Sequence, residues 1–175
     1  MLNAHEQPFE VIGGAIENGV DRSLNWALYY CDFGRYGRPF EPSEVSYVSD
    51  VNLAYKRDAL MAVKDIWCDA YHETTVHWAL LSQCKKLYLD DRPVVYQKRK
   101  GLKLFRTLSE RIAWGRVFAE TRVNELGFIR RLFFAASSPL LPPILLFRVF
   151  RHMRRQNQTS GRMISTLPIA FLLLL

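Results

Sequence analysis

The sequence has little cysteine, and its three cysteines form no pattern. Cys31, Cys68 and Cys84 are an odd number, and no two of them make a C-x-x-C pair. This argues against a disulfide framework and a zinc ribbon, and it suits a reducing compartment. Glycine and proline are at average levels, 9 and 8 of 175 residues, and no internal repeat is present, which excludes fibrous and low-complexity classes.

Common phosphate- and zinc-binding motifs are also missing. There is no G-x-G-x-x-G, and Gly13-Gly14 is not followed by the Gly-Lys-Ser/Thr of a phosphate loop. His72 and His77 bracket Glu73, but they are spaced i, i+5. On a helix the extra residue turns the second imidazole roughly 140° away from the first, so a zinc-protease site is excluded.

Two acidic segments are the nearest approach to a hard-cation site. Asp50 and Asn52 could supply two oxygen ligands at the end of a strand, and Asp90-Asp91 precedes Arg92-Pro93. Turn chemistry is the alternative for the second pair. We predict no metal site in either segment.

Charge is distributed unevenly along the chain. Residues 1–97 contain 9 basic and 14 acidic side chains, whereas residues 98–162 contain 15 basic and 3 acidic ones. Such asymmetry is typical of proteins that bind nucleic acid or an anionic membrane surface. The basic residues here lie along an apolar tail, without an aromatic-lined basic groove, so we predict a membrane surface and no nucleic acid.

The tail contains two apolar runs. Residues 132–147 carry no charge, but sixteen residues with three prolines are short for a spanning helix, so an interfacial or re-entrant segment is the better fit. A second run follows Arg162 and ends in Phe171–Leu175; it is typical of the first half of a transmembrane helix, with a buried core helix as the alternative. No signal peptide precedes residue 9, so the positive-inside bias predicts the cytoplasmic face of the inner or plasma membrane.

The hydrophobic pattern predicts an α/β domain followed by helices. Expected strands are 9–17, 45–49, 53–55, 86–90 and 93–97; expected helices are 21–33, one starting near Arg57, 72–85 and 104–124. We predict three segments: an α/β domain over 1–100, an amphipathic interfacial helix over 101–128, and a basic, apolar membrane-associated tail over 129–175.

Ionisable and aromatic side chains crowd residues 67–78. Asp69, Tyr71, His72, Glu73 and His77 lie between two tryptophans. Such clusters are common in clefts that handle sugars.

Five segments in order resemble the second half of a family 2 glycosyltransferase of the GT-A fold. They are Val-Ile-Gly-Gly-Ala-Ile-Glu at 11–17, Asn-Trp-Ala-Leu-Tyr-Tyr at 25–30, Val-Ser-Asp-Val-Asn-Leu-Ala-Tyr-Lys-Arg-Asp-Ala-Leu at 48–60, Tyr-His-Glu-Thr-Thr-Val-His-Trp-Ala-Leu at 71–80, and Glu-Arg-Ile-Ala-Trp-Gly-Arg-Val-Phe-Ala at 110–119. The third segment is similar to the family's G-x-N-x-A-[YF]-R-R stretch, with Asp50 in place of the glycine. The fourth resembles its Glu-Asp helix, with Glu73-Thr74 in place of Glu-Asp.

The resemblance covers roughly residues 9–160 and implies an inverting transfer of a sugar from a nucleotide-sugar to a lipid-linked or membrane-associated acceptor. It implies Glu73 as the catalytic base, with Asp69 or His72 tuning it, and Asn52, Asp50 and Arg57 as substrate-binding residues. The complete enzyme would use Mn²⁺ or Mg²⁺. The family's nucleotide-binding half and D-x-D motif precede the first strand, and neither occurs in these 175 residues, so we expect this chain alone to be incomplete and inactive. The alternative is a non-catalytic membrane-surface protein derived from a glycosyltransferase.

Overall fold

The computed structural model describes residues 5–123 and 127–175. It is a mixed α/β protein, more than half helical, with one four-stranded sheet. The strands are β1 (Val11–Asn18), β2 (Ser43–Val45), β3 (Leu53–Tyr55) and β4 (Leu87–Gln97). The helices are α1 (Ser23–Asp32), α2 (Arg57–Met61), α3 (Lys64–Trp67), α4 (Glu73–Ser82), α5 (Leu104–Val123), α6 (Phe128–Ser137), α7 (Leu141–Arg155) and α8 (Ser160–Leu174).

The sheet has the order β2-β4-β1-β3 and contains both strand directions. β1 pairs antiparallel with β3, and β2 pairs antiparallel with β4. The two central strands are parallel, because the start of β1 bonds to the start of β4 (Val11 N to Lys86 O, 3.3 Å) and their ends also meet (Gly19 N to Gln97 O, 3.0 Å). Six successive residues of β1 are buried, as expected for a central strand covered on both faces.

The contacts of the chain divide it into two compact units. The first, the sheet unit, comprises residues 1–17 and 36–96; the second, the helical unit, comprises residues 18–35 and 97–175. Along the chain the sheet unit ends at residue 96, and α1 groups with the C-terminal helices in the helical unit.

Two glycines of β1 let neighbouring groups approach the sheet closely. A Cβ at Gly13 would lie 2.5 Å from Val48 Cγ1, and one at Gly14 would lie 2.3 Å from the Asn52 side-chain nitrogen. That nitrogen donates to the carbonyls of Ala15 (2.8 Å) and Pro93 (3.1 Å). The buried Asn52 therefore ties the 50–52 turn to both central strands.

The helical unit is built around α1 and α8. The two helices approach through small residues, Ala27 and Cys31 on α1 and Thr166 and Ala170 on α8, all buried. The Cys31 thiol lies 3.9 Å from the Ala170 carbonyl. Helix α7 packs against both of them through Val149 and Met153. One face of α8 is thus buried, although it was expected to begin a transmembrane helix.

Polar contacts fix the ends of this bundle. The Arg111 guanidinium on α5 bonds to Asp32 and to the Leu173 carbonyl, both at 2.7 Å. Arg162 lies over the Trp26 ring, 4.7 Å from its centroid, and bonds to Asp21 at 2.9 Å. Asp21 therefore does not cap α1 as predicted; the cap position is Arg22, without a side-chain bond.

Within the described residues, one helix is long and apolar enough to cross a membrane by length and composition. It is the 28-residue stretch Phe128–Arg155, in which α6 and α7 are joined by a 3₁₀ turn over Ser138–Leu140. The apolar side chains along it are largely exposed. They are Phe128, Ile129, Leu132, Phe133, Phe134, Leu140, Leu141, Ile144 and Phe147, named below the tail surface.

Most predicted elements form, and two differ for clear reasons. The strand expected at 45–49 lies instead at Ser43–Val45, because Val48 is buried against Gly13 and Ser49 caps the turn that follows. The strands expected at 86–90 and 93–97 are one strand, β4. Pro93 lies beyond Leu87–Leu89, the part of β4 that pairs with β2, and its carbonyl accepts a bond from Asn52.

Candidate active site

Glu73 is the first residue of α4 in the sheet unit. The helix is docked by its fully buried Val76 and Leu80, so its first turn is fixed against the unit. A carboxylate at a helix N-terminus is favoured by the helix dipole. One of its oxygens accepts a 2.6 Å hydrogen bond from the Tyr47 hydroxyl, which orients the carboxylate.

Tyr47 is a half-buried phenol that remains a donor. Burial and the neighbouring Glu73 carboxylate both raise the pKa of its hydroxyl, so it keeps its proton at any physiological pH. Its ring meets the His77 imidazole edge to face, with centroids 5.2 Å apart. Since His77 lies one turn after Glu73 on α4, residues of the same helix contact both the hydroxyl and the ring of Tyr47.

A chain of three side chains lies beside this pair. Fully buried His77 has its Nε2 3.1 Å from the Tyr55 hydroxyl, which is in turn 3.1 Å from the Tyr71 hydroxyl. Burial lowers the pKa of His77 to about 4, so the imidazole is neutral near pH 7. Burial also raises the pKa of both tyrosines.

Which group donates in each of these hydrogen bonds follows from the cost of leaving a buried polar group unpaired. His77 Nδ1 is buried without a partner. A buried unpaired N–H is rarer in proteins than an unpaired acceptor, so the favoured tautomer carries its proton on Nε2. Nε2–H then donates to Tyr55, and Tyr55 donates to Tyr71. Tyr71 is 45% exposed, so the hydrogen of its own hydroxyl is directed away from the chain and toward the open side.

Asp50 adds a second carboxylate to the site. Burial raises its pKa, and the Glu73 charge raises it further. The two carboxylates also act on Tyr55 and Tyr71. The surface formed by Glu73, Asp50, Tyr55 and Tyr71, called this face below, is therefore anionic and also carries phenol hydroxyls.

The other predicted site residues are one buried amide, Asn52, and three exposed side chains. Asn52 is 7% exposed and uses its amide nitrogen on two backbone carbonyls, so it contributes to the fold. Arg57 is exposed at the start of α2, and His72 is the exposed residue before α4. Asp69 is exposed and contacts the Cys68 thiol at 3.8 Å.

Four participants were not predicted as site residues: Tyr47, Tyr55, Tyr71 and His77. Spacing could have suggested His77, which follows Glu73 at i+4. Tyr47 comes from a loop 26 residues earlier, and no local pattern connects it to Glu73.

In the described ranges no three or more His, Cys, Asp or Glu side chains come together in an arrangement that could hold a metal ion.

Comparison with models of known protein families, with curated proteins and with solved structures gives no significant match.

Proposed function

We propose that the chain is the acceptor-side part of a family 2-type glycosyltransferase with a GT-A-like sheet unit, acting at a membrane. The observation that carries the proposal is the Glu73 carboxylate at the start of α4, oriented by Tyr47 beside an open, phenol-rich face. The order of segments that resembles the family supports it.

In this proposal Glu73 is a general base. The acceptor hydroxyl attacks the anomeric carbon of the donor, a new carbon–oxygen bond forms, and the bond to the nucleotide phosphate breaks with its electron pair on the leaving group. The hydroxyl proton passes to the Glu73 oxygen that Tyr47 does not occupy. Such proton transfer contributes roughly 10²–10⁴-fold to the rate.

We assign donor binding to the family's nucleotide-binding half, which in the family precedes the strand that resembles β1. The nucleotide-sugar and a divalent metal would be held there, since the present 175 residues contain no D-x-D motif. Asp50 and the exposed Arg57 remain candidates for contacts with substrate at the rim, and Asp69 or His72 for tuning the base.

Membrane attachment is assigned to the helical unit. The tail surface exposes large apolar side chains, and its neighbours on α6 and α7 are arginines: Arg130, Arg131, Arg148, Arg151 and Arg154. An amphipathic helix with an apolar face and basic flanks binds the interface of an anionic bilayer. The proposed location is the cytoplasmic face of the membrane, and the proposed acceptor is embedded in or linked to lipid.

The test is transfer of labelled sugar by the chain joined to a nucleotide-sugar-binding half of this family, called here the extended protein. Glu73→Gln keeps the shape of the side chain but removes its basicity, so we expect turnover to fall by at least ~10²-fold with donor binding nearly unchanged. Asp69→Asn is the matched control and should cost much less. Transfer that survives Glu73→Gln but not Asp69→Asn would move the base to Asp69. If the extended protein transfers no sugar yet binds membranes, a non-catalytic membrane-surface protein is the better description.

A further inference from the structure

The open face beside Glu73 presents both kinds of hydrogen-bonding partner. Glu73 and Asp50 offer acceptor oxygens, and Tyr71 offers a hydroxyl hydrogen at the end of the chain from His77. Behind them lie the half-buried rings of Tyr47 and Tyr55. A ligand that suits this face must both donate and accept, and must present apolar surface to aromatic rings.

The carboxylates of this face disfavour an anionic ligand. Both Glu73 and Asp50 raise the pKa of Tyr71, and Glu73 also acts on His77. Burial and, after it, the Glu73 charge raise the pKa of Asp50. A phosphate oxygen can only accept hydrogen bonds, and beside two carboxylates it would be repelled.

We infer that this face binds an uncharged, polyhydroxylated group, a sugar residue of the acceptor, rather than a lipid phosphate. A sugar hydroxyl donates to Glu73 or Asp50 and accepts from Tyr71, and the C–H face of a pyranose lies against a phenol ring. The inference deepens the proposed function, on which it rests for the role of the ligand as acceptor. It also fits the chemistry, because a hydroxyl nucleophile needs a base, whereas a phosphate is already ionised.

Binding is measured on the full 175-residue chain in bilayer nanodiscs, since detergents with sugar headgroups would compete. The probes are the methyl glycosides of glucose, galactose, mannose and N-acetylglucosamine, with citronellyl monophosphate and inorganic phosphate as anionic counterparts. Saturation-transfer NMR reports contact with each probe. We expect at least one glycoside to bind with millimolar affinity, insensitive to salt, and neither phosphate to displace it.

Variants assign the binding to this face. Tyr71→Phe removes the donated hydrogen and Glu73→Gln removes the charged acceptor; each should weaken glycoside binding roughly three- to tenfold. Tyr96→Phe, at an exposed tyrosine of β4, is the control and should change nothing. The inference is overturned if no glycoside binds at about 50 mM, a concentration that detects even millimolar affinity. It is equally overturned if a phosphate binds in its place, or if both site variants bind like the wild type. The assay contains no nucleotide-sugar, so its result is independent of whether the extended protein transfers sugar.

Discussion

A single phenol holds the carboxylate on which the proposed chemistry depends. Tyr47 donates to Glu73 at 2.6 Å, and the ring that carries the hydroxyl is fixed by His77. Charge-assisted bonds of this length are among the stronger hydrogen bonds in proteins. The arrangement leaves one Glu73 oxygen for a ligand.

His77 makes the stability of the protein depend on pH. Its folded-state pKa is about 4, below the ordinary value of 6.5, because burial penalises the imidazolium. Between these values the unfolded chain binds more protons at this position than the folded one, so stability must fall as pH drops from 6.5 toward 4. We expect the urea midpoint to fall over this range, and to fall less steeply in His77→Phe.

His77→Phe should be less stable than the wild type at pH 7, since it loses the bond to Tyr55, so the comparison concerns the slope with pH and not the absolute midpoint. Equal slopes in the two proteins would show that His77 is not the titrating group.

Helices α1 and α8 approach each other closely at the small residues Cys31 and Ala170. Ala170 of α8 is fully buried against α1 near Cys31. Ala170→Leu would force a larger side chain into this contact, and overpacking of this kind costs about 1–3 kcal/mol. Ser165→Leu adds similar bulk at an exposed position of the same helix and should be nearly neutral. Thermal or urea unfolding distinguishes them; equal effects would mean that α8 does not pack on α1 in solution.

The exposed side chains along one face of α7 change from apolar to basic toward its C-terminus. Ile144 and Phe147 are followed on the same face by Arg151 and Arg154, spaced i, i+3, i+7 and i+10. At 1.5 Å per residue the stripe changes from apolar to basic over about 10 Å, close to the depth of the headgroup boundary. This helix should therefore enter the interface with its N-terminal half deepest.

Flotation with vesicles tests membrane binding. Phe133→Ser combined with Phe147→Ser should reduce binding to anionic vesicles at least about tenfold, because each buried Phe contributes roughly 1.5–3 kcal/mol. Tyr96→Ser, an exposed aromatic of the sheet unit, is the control. Added salt and neutral lipid should each weaken binding. Flotation unchanged by the double substitution would remove the tail surface as the anchor. Depth-dependent quenching of a fluorophore at 144 or 151 then reports the tilt.

Element positions were largely predictable, and long-range partners were not. The strand β1, helix α4 and helix α5 follow from local hydrophobic patterns, as does the start of α2 at Arg57. The Asn52 side chain bonds to two backbone carbonyls, and this requires the space left by Gly14. One of these carbonyls belongs to Pro93, 41 residues away, so no local pattern predicts the bond. The helix start at Glu73 was predictable because its pattern is local. The contact of Tyr47 with Glu73 was missed because the two residues are 26 positions apart.

At the scale of the whole molecule, the proposed function gives the sheet unit an acceptor-side role, and these 175 residues contain no D-x-D motif for the donor. Calorimetry of the 175-residue chain against UDP- and GDP-sugars with Mn²⁺ should therefore give no micromolar binding. Micromolar affinity for any of them would show that the nucleotide site lies within these residues. In that case Asp50 and Glu73 would be the first groups to substitute.

The helical unit is assembled from two separated parts of the chain, and this sets an order for its synthesis. Cys31 and Ala170, which touch in the finished protein, are 139 residues apart. At roughly 5–20 residues per second, Ala170 is added about 7–28 s after Cys31. During that interval α8 is not yet present to pack against the buried residues of α1, such as Cys31. A nascent chain of this protein should therefore recruit a chaperone, or a bilayer, before α8 is translated.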